Sequence, residues 1–197
     1  MVIRISAVLL AAGLSQRMGG DKLLLEYNSK SFLQHAVELL SMLDVDQRIL
    51  VTTDARAVTL SLSPEIRVCI NHTPEVGKGS SIKIGVEATV GTHYLFLTAD
   101  QPKLKKEDIQ PMLEAAQIHP DKIIHPVINS TPVSPTVFPA RFRNELLSLY
   151  DKSIREQKDF GGQVIRDANK HLCFTVEPKN PLRFTDIDTL EDFKNLK

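Results

Sequence analysis

The sequence predicts an α/β fold: a three-layer sandwich in which helices cover both faces of a mainly parallel sheet. Two observations carry this. Residues 3–12 and 94–98 are near-continuous apolar runs, as expected of strands covered on both faces. Between such runs lie segments whose apolar residues recur three and four apart, so strands and helices alternate along the chain.

Taken in order, residues 3–12 form the first strand and stop at small residues and a glycine. The helix over 31–43 places Phe32, Leu33, Ala36, Val37, Leu39, Leu40 and Leu43 on one stripe. RILVT at 48–52 reads as a strand, 55–62 as a short helix and 66–70 as a strand. A helix over 80–90 follows, with Ser80 and Ser81 as N-cap candidates. YLFLT at 94–98 is a buried strand that ends by Pro102, which has no N–H to offer a ladder. The helix over 106–118 carries Pro111 in its early turns. Short strands at 122–125 and 136–138, helices over 141–150 and 160–169, a strand at 171–176 and a helix over 189–196 complete the series. The piece at 126–139, PVINSTPVSPTVFP, is too apolar for a linker and is expected as an insertion over the sheet edge. With no repeat and no low-complexity tract, 1–197 reads as a single domain.

Composition narrows the function. The 24 basic and 24 acidic side chains cancel, so no global field draws the chain to nucleic acid or to an anionic membrane. No apolar run approaches the ~18 residues of a spanning helix, and residues 1–12 lack a basic leader segment, so a cytoplasmic location is expected. Cys69 and Cys173 stand alone and read as reduced, structural thiols. His35 and His125 read as satisfied side chains rather than catalysts, and no Ser/His/Asp order suggests hydrolysis.

The chemistry-bearing stretch is LLAAGLSQRMGGDKLLL, residues 9–25. It fails the P-loop pattern, because Lys22 is neither preceded by glycine nor followed by Ser or Thr. It also fails the G-x-G-x-x-G pattern, because Ser15 stands two after Gly13. What remains is a long glycine-bearing loop holding Arg17 and Lys22. Backbone N–H groups of such a loop cradle phosphates while the two cations offset charge that moves in phosphoryl transfer. Asp100, just past a buried strand, is the first candidate for a metal carboxylate, and Asp186 or Asp188 the second. Residues two apart on an extended segment face the same way, so spacing does not choose between them. Either of the pair, or Thr189, is expected to cap the last helix.

The loop resembles the signature of the MobA-like nucleotidyltransferases that mature the molybdenum cofactor, especially their cytidylyltransferase branch. Three further blocks match in order: GKGSSIKIGV at 77–86, LTADQP at 97–102 and FTDIDTLEDF at 184–193. The resemblance implies a Rossmann-like sheet of the nucleotide-diphospho-sugar transferase type. It implies Mg²⁺-dependent transfer of CMP from CTP to the terminal phosphate of a molybdopterin-type cofactor, with a molybdoenzyme as possible client.

On that resemblance Arg17, Lys22 and Asp100 are catalytic, and Asp100, Asp186 and Asp188 hold the metal. Leu10, Ala11, Ala12, Gly13, Gly19, Lys22, Gly79, Ser80 and Ser81 bind the nucleotide, and Lys78 reads as a solvated charge. Gln101, Ser134, Pro135, Gly161 and Gly162 are placed near the acceptor, although the acceptor segments at 133–138 and 159–166 depart from the family's pattern. Ala12, where the guanylyl branch carries glycine, leaves less room beside the base and favours a pyrimidine. The alternatives are GTP as donor, a phosphosugar or phosphoalcohol as acceptor, and a non-catalytic cofactor chaperone, against which Asp100 argues.

Overall fold

The computed structural model describes residues 2–14 and 20–196. β1 (Ile5–Ala11) leads through the glycine-bearing turn to a 3-10 turn (Lys22–Leu24) and a hairpin of β2 (Glu26–Tyr27) and β3 (Lys30–Ser31). Then come α1 (Phe32–Met42), β4 (Gln47–Thr52), the single turn α2 (Asp54–Ala57), β5 (Ile66–Ile70) and α3 (Lys78–Glu87). β6 (His93–Thr98), α4 (Lys106–Ile118), β7 (Ile123–Ile128), β8 (Thr131–Pro132) and β9 (Thr136–Pro139) follow. α5 (Arg143–Glu156), α6 (Gln163–Ala168), β10 (Cys173–Val176) and α7 (Leu190–Leu196) end the chain.

The main sheet runs β10-β7-β9-β6-β1-β4-β5, with β8 paired to β7. β1, β4, β5 and β6 are mutually parallel, as are β7 and β10, while β9 runs antiparallel between β6 and β7. The period-2 alternation of strands sorts the core into two layers. Ala7, Leu9 and Ala11 of β1, Leu50 of β4, and Leu95 and Leu97 of β6 meet α1 and α4 on one face. Val8, Ile49, Val51, Tyr94 and Phe96 meet α3 and α5 on the other. α1 starts where Ser31 Oγ accepts from the Gln34 N–H (3.1 Å), as a serine cap should.

Three expectations need correction. The proline-rich piece is no edge insertion: it supplies β8 and places β9 inside the sheet. Pro132, Pro135 and Pro139 fall at strand ends or between strands, and Val137 and Phe138 alternate into the two cores. The helix expected over 55–62 is only the turn α2, because Leu60 and Leu62 leave it to pack against the α1/α4 layer. α3 begins at Lys78 after Gly77, which takes φ +96°, so Ser80 and Ser81 lie within its first turn and cap nothing.

Candidate active site

Leu10 of β1 stands opposite Thr98 of β6, so the turns leaving these strands open on the same carboxyl edge of the sheet. The C-terminal segment is laid across that edge by the Ile187 N–H, which donates to the Asp100 carbonyl (3.0 Å). Ile187 is buried with Phe32 and Leu196. Asp186 and Asp188, one residue to either side, both face the cavity. Neither caps α7: Thr189 does, its Oγ1 accepting from the Asp192 N–H (3.1 Å) while the Asp192 carboxylate takes the Thr189 N–H (2.8 Å).

Lys22 is 8% exposed and joins these pieces. Its Nζ donates to Asp100 Oδ2 (3.1 Å) and Asp188 Oδ1 (2.9 Å). Burial alone would lower its pKa, but the charges and hydrogen bonds of Asp100 and Asp188 outweigh burial and hold it above the ordinary lysine value. The ammonium therefore stays charged. Asp186 has the opposite problem: burial, then the negative charges of Asp100 and Asp188, push its carboxyl up to about 6 against the pull of Lys78 and Lys22.

These groups open on one cavity of about 370 Å³, within the range of small-ligand sites. Leu10, Ala12, Gly13, Lys22, Ser81, Asp100, Asp186 and Asp188 line it together. Most of the expected site is thus assembled from four separate stretches of sequence. Among the described residues a Cβ at Gly13 would meet nothing within 4 Å, so none of them requires a glycine there for packing.

Several expected nucleotide residues do other work. Ala11 is fully buried, and its carbonyl accepts from Thr52 Oγ1 (3.3 Å) and Arg56 Nη1 (2.7 Å). Gly79 packs against α5, where a Cβ would lie 2.8 Å from the Leu149 carbonyl oxygen. Ser80 is turned inward, donating to the Gly77 carbonyl (2.8 Å) and accepting from Asn71 Nδ2 (2.8 Å). Lys78 is no idle charge, since it lines the cavity and acts on Asp186. Arg17 and Gly19 lie outside the described residues.

On the acceptor side, Ser134, Gly161 and Gly162 line a recess of about 70 Å³ that shares Leu10, Lys78 and Thr98 with the main cavity. Gln101 and Pro135 do not line it. Gln101 is a buried tie, its Nε2 donating to the carbonyls of Phe184 (2.8 Å) and Ser134 (3.2 Å), and Pro135 follows a cis bond from Ser134. Pro74 and Glu75 on the main cavity carried no signal in the sequence; of the segment 159–166 expected beside the acceptor, Arg166 lines the recess with the glycines while Asp159 lines the main cavity instead. Asp159 accepts from the Lys78 N–H (2.6 Å), and a Cβ on Gly77 would run into its carboxylate, so the two positions specify each other. His35 and His125 are satisfied as expected, the first at the Tyr27 carbonyl (2.6 Å), the second at the Pro126 carbonyl (3.1 Å). Burial raises the pKa of both free thiols, Cys69 and Cys173, which keeps them protonated.

The residues present fit a divalent cation. Asp100 Oδ1 is buried and has no hydrogen-bond partner among the described residues, and Asp186 is short of positive charge. No group of three or more His, Cys, Asp or Glu side chains is arranged to hold a metal among the described residues. Magnesium does not ask for one, because it takes one or two carboxylates and fills its remaining positions with phosphate oxygens and water.

An open glycine turn beside a fixed ammonium suits a polyphosphate, and clustered carboxylates beside it suit the cation such an anion carries. Passing a nucleotidyl group between phosphates needs both, so the fold and this cleft define a nucleotidyltransferase. The chain belongs to the MobA-like NTP transferase domain family, whose profile matches residues 7–168. A probable molybdenum cofactor guanylyltransferase of Bacillus mycoides strain KBAB4 is 24% identical over 191 residues, covering 95% of this chain and 93% of the relative. The crystal structure of Rv0371c from Mycobacterium tuberculosis H37Rv superposes with a TM-score of 0.78 at 22% identity, covering 100% of this chain and 98% of that one. The manganese complex of the same mycobacterial protein gives a TM-score of 0.75 at 19% identity over 98% of this chain and 97% of that one. At these identities the solved structures speak for the fold. No helix among the described residues is long and apolar enough to cross a membrane.

Proposed function

We propose that this protein transfers CMP from CTP to the terminal phosphate of a molybdopterin-type cofactor and releases pyrophosphate. The observation that carries the reading is the Lys22 ammonium fixed between Asp100 and Asp188 on the lining of a cavity that Gly13 also lines. A phosphate oxygen of the acceptor attacks the α-phosphorus in line; the new P–O bond forms as the α–β bridging bond breaks, and the electron pair leaves on pyrophosphate. Lys22 holds positive charge where negative charge grows on the leaving group, and Arg17 is assigned the same task. Asp100, with Asp186 or Asp188, would hold Mg²⁺, which supplies charge neutralisation and alignment of the phosphates. No covalent intermediate with the protein is required.

The choice of CTP rests on Ala12, a lining residue of the cavity: a methyl there, in place of the glycine of the guanylyl branch, would leave less room beside the base. The similarity to the Bacillus mycoides relative, a probable guanylyltransferase, favours GTP as a second reading. Pyrophosphate release with each nucleoside triphosphate, Mg²⁺ and a molybdopterin acceptor separates them. Turnover with CTP is expected; turnover with GTP alone overturns the cytidylyl assignment. Silence with every nucleotide, unchanged by Mg²⁺, overturns the enzyme.

A further inference from the structure

Arg56 is a buried arginine, 5% exposed, on the single turn α2 that follows β4. Nothing in the proposed chemistry uses it, yet its guanidinium makes four charge-assisted hydrogen bonds. Nη1 donates to the Ala11 carbonyl (2.7 Å) and Nη2 to the Gly13 carbonyl (2.7 Å). Nε and Nη2 donate to the two oxygens of Asp21 at 2.7 and 2.8 Å, a bidentate fork. Asp21 in turn accepts the Leu23 N–H (3.1 Å) and so starts the 3-10 turn that carries Lys22.

One side chain therefore grips both ends of the glycine-bearing turn: the carbonyls at its entry and the carboxylate at its exit. Gly13 and Lys22, both lining the main cavity, are held in register by a group that itself stands outside that lining. Arginine suits the task because its planar fork reaches a carboxylate and two carbonyls at once, and a lysine has no such geometry.

We propose that Arg56 and Asp21 form a clasp that positions Gly13 and Lys22 for the triphosphate before nucleotide arrives, so that binding need not order them. This rests on the nucleotidyltransferase reading. Arg56 is a positioning residue, acting through Asp21 and the two carbonyls.

The test uses the full chain with Asp21→Asn, Arg56→Lys and Arg56→Gln, and two readouts. Steady-state kinetics with CTP, Mg²⁺ and a molybdopterin acceptor give KM and kcat; amide hydrogen exchange without nucleotide reports on residues 11–14 and 20–23. Asp21 is 30% exposed at its side chain, so Asp21→Asn remains usable where an Arg56 variant fails to fold. The expected result is a KM for CTP raised about tenfold or more with kcat lowered less than about threefold. Arg56→Lys should fall between wild type and Arg56→Gln. Exchange should quicken at 11–14 and 20–23 while the centres of β1 and β4 keep their protection. The clasp is overturned if folded variants keep KM within about twofold and exchange unchanged, or if protection falls equally throughout β1 and β4, which would make Arg56 a brace of the whole fold. If the wild-type protein binds neither CTP nor GTP, the enzymatic reading falls instead, and the exchange comparison alone decides the clasp.

Discussion

The cavity has two unlike sides. On the β1-β4-β5 side two buried cations are tied down: Arg56 to Asp21 and two carbonyls, Lys22 to Asp100 and Asp188. On the β6-β9-β7 side the smaller recess is walled by Phe96, Phe138, the glycines 161 and 162, and three hydroxyl residues, Thr98, Ser134 and Thr136, with Arg166 and Lys78 as its cations. The first side is built for position and the second for shape. Position matters where charge moves over a few ångströms, whereas a recess of about 70 Å³ seats only a small part of any partner and selects it by the shape of that part. Substitutions on the two sides should therefore fail differently.

The largest effect is expected at Asp100, just past β6 on the main cavity. Asp100→Asn keeps the shape but removes one of the two carboxylates facing Lys22 and the one with a buried, unpartnered oxygen. Turnover should fall roughly 10²-fold or more, since a phosphate-bridging cation contributes several kcal/mol to such transfers. Metal titration should show the loss: the variant's residual rate should respond weakly to added Mg²⁺. A variant with unaltered rate and metal response would remove the carboxylate site from the scheme.

Gly79→Ala comes next and bears on stability alone. A Cβ there would lie 2.8 Å from the Leu149 carbonyl oxygen and 2.9 Å from Ser153 Oγ, contacts that the α5 backbone cannot relieve. A loss of about 1–3 kcal/mol is expected in a urea titration, with the KM for nucleotide unchanged. An unchanged midpoint with a raised KM would return Gly79 to the nucleotide site.

What could be read from the sequence follows the same division. The first side sits in contiguous motifs: a strand, a glycine turn and a lysine lie within 9–25, and the acidic tips stand directly after apolar runs. Alternation along a single segment was enough to put Asp186 and Asp188 on one face. The N-cap role expected of Ser80 and Ser81 fails because their partner, Asn71, lies in a separate segment just past β5, and a hydroxyl at a helix start looks the same whether it caps or packs. β9 was misplaced because prolines suggest an edge, and neither strand direction nor position in a sheet is written in three or four residues. Arg56 was invisible for a related reason: it belongs to no motif, and its four bonds reach residues at least 35 positions away.

On the second side, Arg166→Ala should leave nucleotide binding alone and raise the KM for the acceptor about tenfold, the effect of losing one charge-assisted contact. Arg166 Nε is held by its neighbour Asp167 at 3.1 Å, and its side chain is 12% exposed. Isothermal titration with each substrate separately measures both affinities. Equal losses for both substrates would erase the distinction between the two sides.

The smallest effect is a pH dependence of stability beneath the second side. His93 of β6 and His125 of β7 are buried, and burial lowers the pKa of each, opposed by bonds to the Pro120 and Pro126 carbonyls. Asp121 also raises His93, while Arg166 lowers and Asp167 raises His125. Unfolded histidines take up protons near 6.5 but the folded ones only below that, so the unfolded chain binds more protons as pH falls and stability is lost through that window. Asp186 runs the other way: its folded carboxyl, at about 6 against an ordinary 3.8, takes up a proton first, so falling pH adds stability through it. Measuring urea midpoints in an Asp186→Asn background removes that opposing contribution. The midpoint should then drop between about pH 7.5 and about pH 5.5, and His93→Gln with His125→Gln should flatten the drop. A midpoint that holds steady while the histidines remain would mean that they titrate in the fold as they do in the unfolded chain, so that burial costs their charged forms nothing.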